Sequence, residues 1–395
     1  MARRADVMVD GAGGASAHWY GTGTNYIVQT PDGVLYMVMI TAQDDVNFKK
    51  SSDGGLTWSQ STAIRTGTVT ALAIWYDRWS GIAGGLIHCA YIEGYAGDTF
   101  YRTIDTEASD ALSTQTVILD AGVSASTGHL SITRAKGGNV LCKTVVSTAG
   151  GVYRLANANV PNGAWDAART IDETIAAGDQ MILVPNLTSA DTQDIMAFFW
   201  DASADEVSRK LYDDSANSWS ETSIATSMWK LATTMAFANF DIAMDLTNSR
   251  VVLVAWSDSD FANADLRCWT VTDSAITEVT NVVTDSTDDQ GLAAISIDSQ
   301  TGYWHAFYGG KSDGSETWIT ALHIYTKVSR DSGTTWGPET QVDVGAVFDV
   351  RWLATTNWLY LGPPVVTWFR EGGATRDVMM SVDRTVPRAT YQLGA

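Results

Sequence analysis

Apolar positions in this chain come in short bursts, and none follows a helical spacing. Residues 34–40 read Val-Leu-Tyr-Met-Val-Met-Ile. Bursts of the same texture recur at 85–92, 139–146, 194–200, 250–256, 302–308 and 364–369. They are rich in Val, Ile, Tyr, Phe and Trp and are bounded by Gly, Asp, Asn and Ser, as strands are. A second set follows each burst, at 46–50, 99–104, 152–156, 207–212, 266–271, 322–328 and 378–382. A shorter segment opens each unit, as 26–29 does before the turn Pro31-Asp32-Gly33. Another closes it, as 57–64 and 336–342 do. The pattern is four strands per unit, repeated along the whole chain.

The turn after the third strand carries a motif. Ser51-Ser52-Asp53-Gly54-Gly55-Leu56-Thr57-Trp58 and Ser329-Arg330-Asp331-Ser332-Gly333-Thr334-Thr335-Trp336 both fit Ser/Thr-x-Asp-x-Gly-x-Thr-Trp. The aspartate can accept backbone N–H bonds within a tight turn. The second glycine position takes positive φ without a Cβ penalty. The tryptophan carries a large apolar surface into the next strand. Read this way, the stretch is a structural staple. Reduced copies are Tyr212-Asp213-Asp214-Ser215-Ala216-Asn217-Ser218-Trp219, 103–105, 159–165, 271–273 and 381–383. With Asp214 as the box residue of the fourth copy, the equivalent positions are 53, 105, 160, 214, 273, 331 and 383. They lie 52, 55, 54, 59, 58 and 52 residues apart, which is a period with seven copies.

This motif resembles the Asp-box, or BNR repeat, of sialidase-like β-propellers. Four antiparallel strands at a 50-odd residue period match a propeller blade. The expectation is an all-β, single-domain, seven-bladed propeller over residues 1–395. The expected blades are 24–68, 69–122, 128–175, 180–226, 234–284, 291–345 and 348–395, the last completed by 5–11. The segment 5–11 is similar to the fourth-strand endings 340–345 and 116–122, so it is expected to close the ring against the C-terminal strands. The rival for that strand is 389–393.

Composition narrows the partners. Asp+Glu outnumber Lys+Arg by 45 to 25, a formal net charge of −20. Such a chain lacks the basic footprint that phosphate backbones require, so nucleic acid is not expected as a partner. Cys89, Cys142 and Cys268 match no zinc spacing and read as buried small hydrophobes. The first ten residues contain Arg3 and Arg4 but no apolar core, so they do not read as a signal peptide. No apolar run reaches the roughly 18 residues of a membrane span. These residues by themselves leave the cytoplasm as the expected setting.

Strand order gives the propeller two faces. One holds the boxes and the first-to-second turns; the other holds the second-to-third loops. In the resembled family, ligands bind opposite the boxes. The loops there are acidic, with Asp44, Asp45, Glu93, Asp98, Asp201, Asp205, Glu206, Asp258, Asp260, Asp265, Asp313, Glu316, Glu371 and Asp377. These read first as solvated loops, and alternatively as a rim for a hard cation such as calcium. No cofactor is otherwise expected. The inner-strand starts offer Tyr26, His129, Asp179, Gln180, Asp289, Gln290, Asp349 and Arg351, a polar set that either forms a pocket or lines a wet channel. Trp75, Tyr76 and Trp79 are candidates for sugar stacking, or for core packing.

Catalysis has little support in these residues. Sialidases carry an Arg-Ile-Pro motif, an arginine triad, a Tyr/Glu nucleophile pair and an Asp acid/base. Arg-Ile-Pro is absent here, and Arg134, Arg154, Arg209, Arg250 and Arg267 fall within strands or box-side turns, leaving Arg351 near the channel. His129 and Tyr26 are the residues a lyase-type base would draw on. The texture of 73–79, 86–91 and 100–106 is similar to propeller proteins encoded among the structural genes of tailed bacteriophages. The leading expectation is therefore a non-enzymatic virion propeller, structural or binding a host-surface glycan, which works against other virion proteins and is open to homo-oligomerisation. The alternatives are a sialidase-like hydrolase or polysaccharide lyase, and a protein-interaction platform.

Overall fold

The computed structural model describes residues 6–13, 26–41, 43–77, 85–94, 97–120, 128–146, 149–167, 179–201, 203–228, 240–257, 265–284, 291–313, 315–316, 323–343, 350–371 and 376–382. Within them lie seven antiparallel sheets, one per blade of a propeller ring. The first blade runs Ile27–Gln29, Leu35–Ile40, Val46–Ser51 and Thr62–Arg65 from inside to outside. The second runs Val69–Tyr76, Leu86–Glu93, Thr99–Asp105 and Thr116–Leu119. The third holds Gly128–Arg134, Val140–Val146 and Ala149–Leu155, with the Asp166 N–H bonded to the Arg154 carbonyl along its outer edge.

The remaining blades repeat this order. The fourth runs Gln180–Pro185, Ile195–Asp201, Glu206–Asp213 and Ser218–Thr226; the fifth runs Phe240–Asp245, Arg250–Ser257, Asp265–Val271 and Ile276–Glu278. The sixth runs Gly291–Ile297, Trp304–Gly309, Ile324–Ser329 and Thr340–Gln341. The seventh combines Val350–Thr355, Val365–Glu371 and Arg376–Val382 with Val7–Gly13 as its outer strand. The N-terminal strand thus pairs antiparallel with Arg376–Val382, Val7 opposite Met380. Lys49 of the first blade reinforces it, donating to the Val9 carbonyl at 2.8 Å and pairing with Asp10 at 3.0 Å. The rival segment 389–393 lies outside the described residues.

Second strands are buried on both sides, and Trp256, Trp304, Tyr91 and Phe198 rank among the largest fully buried side chains. A strand buried on both faces needs a continuous apolar run, which is why this strand was the most visible in the sequence. The apolar clusters run between blades: one joins the second to the fifth blade, and another joins the fifth, sixth and seventh.

Both full boxes form the predicted turn. Asp53 accepts from the Leu56 and Thr57 N–H groups at 2.8 and 3.0 Å and from the Thr57 and Ser51 hydroxyls at 2.7 Å. Slight burial pushes this carboxyl up, but the bonds from Thr57, Ser51 and Leu56 outweigh it and hold the group at about 2. Asp331 receives the Thr335 N–H and hydroxyl at 2.8 and 2.6 Å. The box aspartates are exposed, so these bonds stiffen a surface turn instead of satisfying a buried group.

Each box also docks on the preceding blade. A Cβ at Gly55 would lie 1.9 Å from Met380 Cε of the seventh blade. One at Gly333 would lie 2.8 Å from Val279 Cγ2 of the fifth blade and 2.7 Å from Trp304 Cζ3. Trp336 donates its indole N–H to the Thr280 carbonyl at 2.9 Å, and Trp58 packs into the cluster that holds Met380. Trp165 stands edge-on to Tyr101 of the second blade, at 5.2 Å between centroids.

The box readings need two corrections. In the fourth copy the turn acceptor is Asp213, which takes the Ser215 hydroxyl and the Ala216 N–H at 2.7 and 2.8 Å. Asp214 instead reaches back to Arg154 of the third blade at 2.8 Å. The fourth strands also begin later than the tryptophan, at Thr62 and Thr340, because the box and its exit occupy the residues between.

Candidate functional site

The base of the central channel is occupied by the first-to-second turn of the seventh blade. Asn357 accepts the Met244 N–H of the fifth blade at 3.2 Å. Leu359 exchanges backbone bonds of 2.9 Å with Ile297 and Ser299 of the sixth. Gln29 of the first blade accepts the Tyr360 and Leu361 N–H groups at 2.8 and 2.9 Å and donates to the Leu361 carbonyl at 2.6 Å. Tyr360 meets Tyr76 of the second blade edge-on. A turn that reaches two blades away on either side must lie across the ring axis. The channel is therefore covered on the box face, and the face opposite the boxes is the one this turn leaves open.

Between the third and fourth blades lies a buried amine. Lys143, on the central strand Val140–Val146, pairs in register with Ser131 and points toward the fourth blade. Its Nζ has no hydrogen-bond partner among the described residues. Burial pulls this amine down to about 7, and the neighbouring Asp179 pulls it partway back up. Asp179 is itself buried, at the start of the fourth blade's inner strand. Ser131 accepts the Leu183 N–H across the same interface at 2.9 Å. Asp241 makes the equivalent link from the fifth to the sixth blade, accepting the Ile295 N–H at 2.9 Å. Burial raises that carboxyl to about 7 against the two backbone bonds it receives, from Ile295 and Ile242.

The richest reachable group of acid–base side chains sits on the open face, in the second-to-third loop of the sixth blade. Glu316 Oε1 is 2.8 Å from His323 Nδ1 and accepts the Tyr325 hydroxyl at 3.1 Å. His323 and Glu316 keep 23% and 20% of their side-chain surface exposed, so solvent and ligands reach them. Behind them Glu339 accepts the Tyr308 hydroxyl at 2.6 Å and the Ser312 N–H at 2.9 Å. Burial, then Glu339, raises the Tyr308 phenol; burial, then Glu316, does the same for Tyr325. Both tyrosines therefore stay neutral donors. Asp343 accepts the Ile324 N–H at 2.8 Å, and burial lifts it to about 7. The set can bind hydroxyl groups, and its His–Glu–Tyr chain can pass a proton.

The structure describes only part of the sequence-predicted set. Trp75 and Tyr76 end the inner strand of the second blade, on the box side, and are 5% and 2% exposed. They are core, and sugar stacking on them is ruled out by that burial. Tyr26 is half-buried at the start of the first inner strand and packs against two apolar clusters. His129 pairs with Val145, and Arg351 with Phe369, in inner strands whose side chains at these positions lie outside the described residues. Asp289 lies outside them too, as do Trp79, Asp258 and Asp260. Asp179 lies near Lys143, a residue that sequence reasoning missed. Rim carboxylates are spent on neighbouring groups: Asp201 holds the Ser203 hydroxyl of its own turn at 2.7 Å, and Asp45 holds the Gly67 N–H of the blade-to-blade connection at 2.7 Å. Among the described residues no group of three or more His, Cys, Asp or Glu is placed to hold a metal. No helix among them is long and apolar enough to cross a membrane.

A scan against protein-family models gives no match, and a search of curated proteins gives none either. Solved structures do match. An ulvan lyase of polysaccharide lyase family PL25 is similar over 95% of both chains, at 10% identity and a TM-score of 0.58. The same enzyme bound to -[GlcA(1-4)Rha3S]- gives 0.59 over the same 95% of each chain, again at 10% identity. A sialidase of Trypanosoma rangeli in complex with sialic acid is similar over 97% of this chain and 57% of that one, at 9% identity and a TM-score of 0.45. The ulvan lyase shares the propeller fold.

Proposed function

We propose that this protein is a carbohydrate-directed β-propeller whose working surface is the open face, with sugar engaged at the sixth-blade rim. The observation that carries this reading is the His323–Glu316–Tyr325 chain, reachable by solvent on the face opposite the boxes. Carboxylates, an imidazole and phenols suit the hydroxyl groups of a sugar, and a chain of net charge −20 favours neutral glycans at a carboxylate-lined rim. The fold shared with a lyase that is seen bound to a polysaccharide supports the ligand class.

Recognition without turnover is the first reading. The second is glycan cleavage, favoured by the same chain: Glu316 orients His323 through Nδ1, leaving Nε2 as the ring's site of proton exchange. A glycan array run beside hydrolase and lyase assays on the same glycans tests both. Binding that Glu316→Gln weakens, with no new reducing or unsaturated ends, supports recognition. Turnover that His323→Ala abolishes supports cleavage. Absence of binding and of turnover overturns the carbohydrate reading. The setting we propose is a tailed-phage particle, on the texture of 73–79, 86–91 and 100–106; mass spectrometry of purified particles tests that separately.

A further inference from the structure

The two full boxes differ in one respect that their shared structural role does not explain. In the first blade the residue after the box serine is Ser52; in the sixth it is Arg330. Arg330 is exposed and lies over the Tyr303 ring at 5.7 Å. The other arginines with described side chains are committed. Arg65, Arg134, Arg154, Arg250 and Arg267 pair with carboxylates, and Arg102 and Arg209 donate to carbonyls. Arg330 alone among them has neither partner. The adjacent Asp331 does not neutralise it, because that carboxylate is turned into the box by Ser329 and Thr335.

Arg330 borders a groove of about 360 Å³ lined also by Val328, Thr335, Trp336, Pro338 and Thr340. That volume falls within the roughly 300–1,000 Å³ typical of small-ligand sites. Trp336 is half-buried, and its indole is fixed by the bond to Thr280, so the ring is held in one orientation at the groove wall. A fixed indole beside a guanidinium with no carboxylate or carbonyl partner is a pairing that recognises a ring bearing a negative group: the indole takes the apolar ring face, and the guanidinium fork takes two oxygens. Since the chain is strongly acidic overall, an uncommitted arginine is a local exception and not part of a basic surface.

We infer that this groove is a second, box-side subsite that binds a sugar residue carrying a carboxylate or a sulfate. The inference takes its ligand class from the carbohydrate reading above, but it does not depend on the open face. Isothermal titration of the full chain with tetragalacturonate, a sulfated carrageenan tetrasaccharide and neutral cellotetraose tests it. Arg330→Gln, an exposed position that leaves the fold intact, is expected to weaken both charged sugars by about tenfold or more and to leave cellotetraose unchanged. Trp336→Phe keeps a stacking ring and is expected to retain most of the binding; Glu316→Gln is expected to leave it untouched. The carboxylate and sulfate probes, compared with each other, identify the anionic group. If Arg330→Gln binds the charged sugars as the parent does, or the parent binds none, the groove inference falls. If charged sugars are lost only in Glu316→Gln, the groove falls while the open-face reading stands. If cellotetraose binds nowhere while Arg330→Gln loses the charged sugars, the groove stands and a neutral-sugar open face fails.

Discussion

The ring of Tyr360 stands edge-on to that of Tyr76, with centroids 6.4 Å apart and planes at 89°. The two residues belong to the seventh and second blades, which are not neighbours in the ring. Their contact exists because the turn carrying Tyr360 crosses the axis, and Gln29 holds that turn from the blade between them. Gln29 is 3% exposed and bonds the turn at three points. Gln29→Ala leaves two N–H groups and a carbonyl unpaired, and a buried group left unpaired costs about 1–3 kcal/mol. We expect a loss of about 2–4 kcal/mol in denaturant unfolding. Tyr360→Leu keeps apolar bulk and removes the edge-to-face pair, a loss of about 1 kcal/mol. Parent-like midpoints for both variants would mean that the turn does not bind the ring together.

Closure at the other radius depends on the first strand. Val7–Gly13 supplies the outer edge of the seventh blade, and Lys49 clips it to the first. Deleting residues 1–12 exposes the edge of Arg376–Val382 to other chains. The expected outcome is a lower melting temperature together with concentration-dependent association by light scattering. A monomer melting like the parent would assign closure to another segment.

The box glycines give a sharper test than the box aspartates. Gly333 adopts φ of 85°, where a side chain is strained, and its face is pressed against Trp304 and Val279. Gly333→Ala combines that strain, about 1 kcal/mol, with overpacking of about 1–3 kcal/mol. Asp53→Ala, at an exposed site, is expected to cost about 1 kcal/mol. Thermal unfolding of the two variants ranks them; a milder effect for Gly333→Ala would show that the box is not an inter-blade clamp.

These positions mark where the sequence was legible. The second strands were readable to within a few residues, because burial on both faces forces unbroken apolar runs, and the third because their buried and half-buried positions alternate beside them. The full boxes were readable because one turn geometry demands one set of residues. Asp213 was not, since the fourth hairpin pairs directly from Asp213 to Ser218 and shifts the acceptor by one. Trp75 and Tyr76 looked like a ligand platform because the sequence does not show that they end their strand instead of starting it. Lys143 interrupts the run Val-Leu-Cys-Lys-Thr-Val-Val, and that interruption was the available signal. Its meaning required Asp179, which only the packing of one blade on the next brings near. The Glu316–His323 pair had no signal beyond the acidity of its loop.

Lys143, Asp241 and Asp343 together predict the shape of stability against pH. Burial lowers the Lys143 amine to about 7 in the folded state, so between about 7 and its ordinary value near 10.5 the unfolded chain holds a proton that the native state has released. Stability from this group therefore rises with pH across that window, and the full cost of a buried charge applies below it. Burial raises Asp241 and Asp343 to about 7 from an ordinary 3.8, so between those values the native state holds protons that the unfolded chain has lost. Their contribution is complete below 3.8 and is lost as pH climbs to about 7. The two windows meet near neutrality, where these three groups together favour the fold least. Lys143→Met is expected to raise the melting temperature below pH 7 and to flatten the alkaline limb only. Asp241→Asn, which keeps an acceptor for the Ile295 N–H, is expected to flatten the acid limb only. Melting curves from pH 4 to 10 check both; a Lys143→Met profile parallel to the parent's from pH 7 to 10 would show that the amine titrates normally and is not buried as a neutral group.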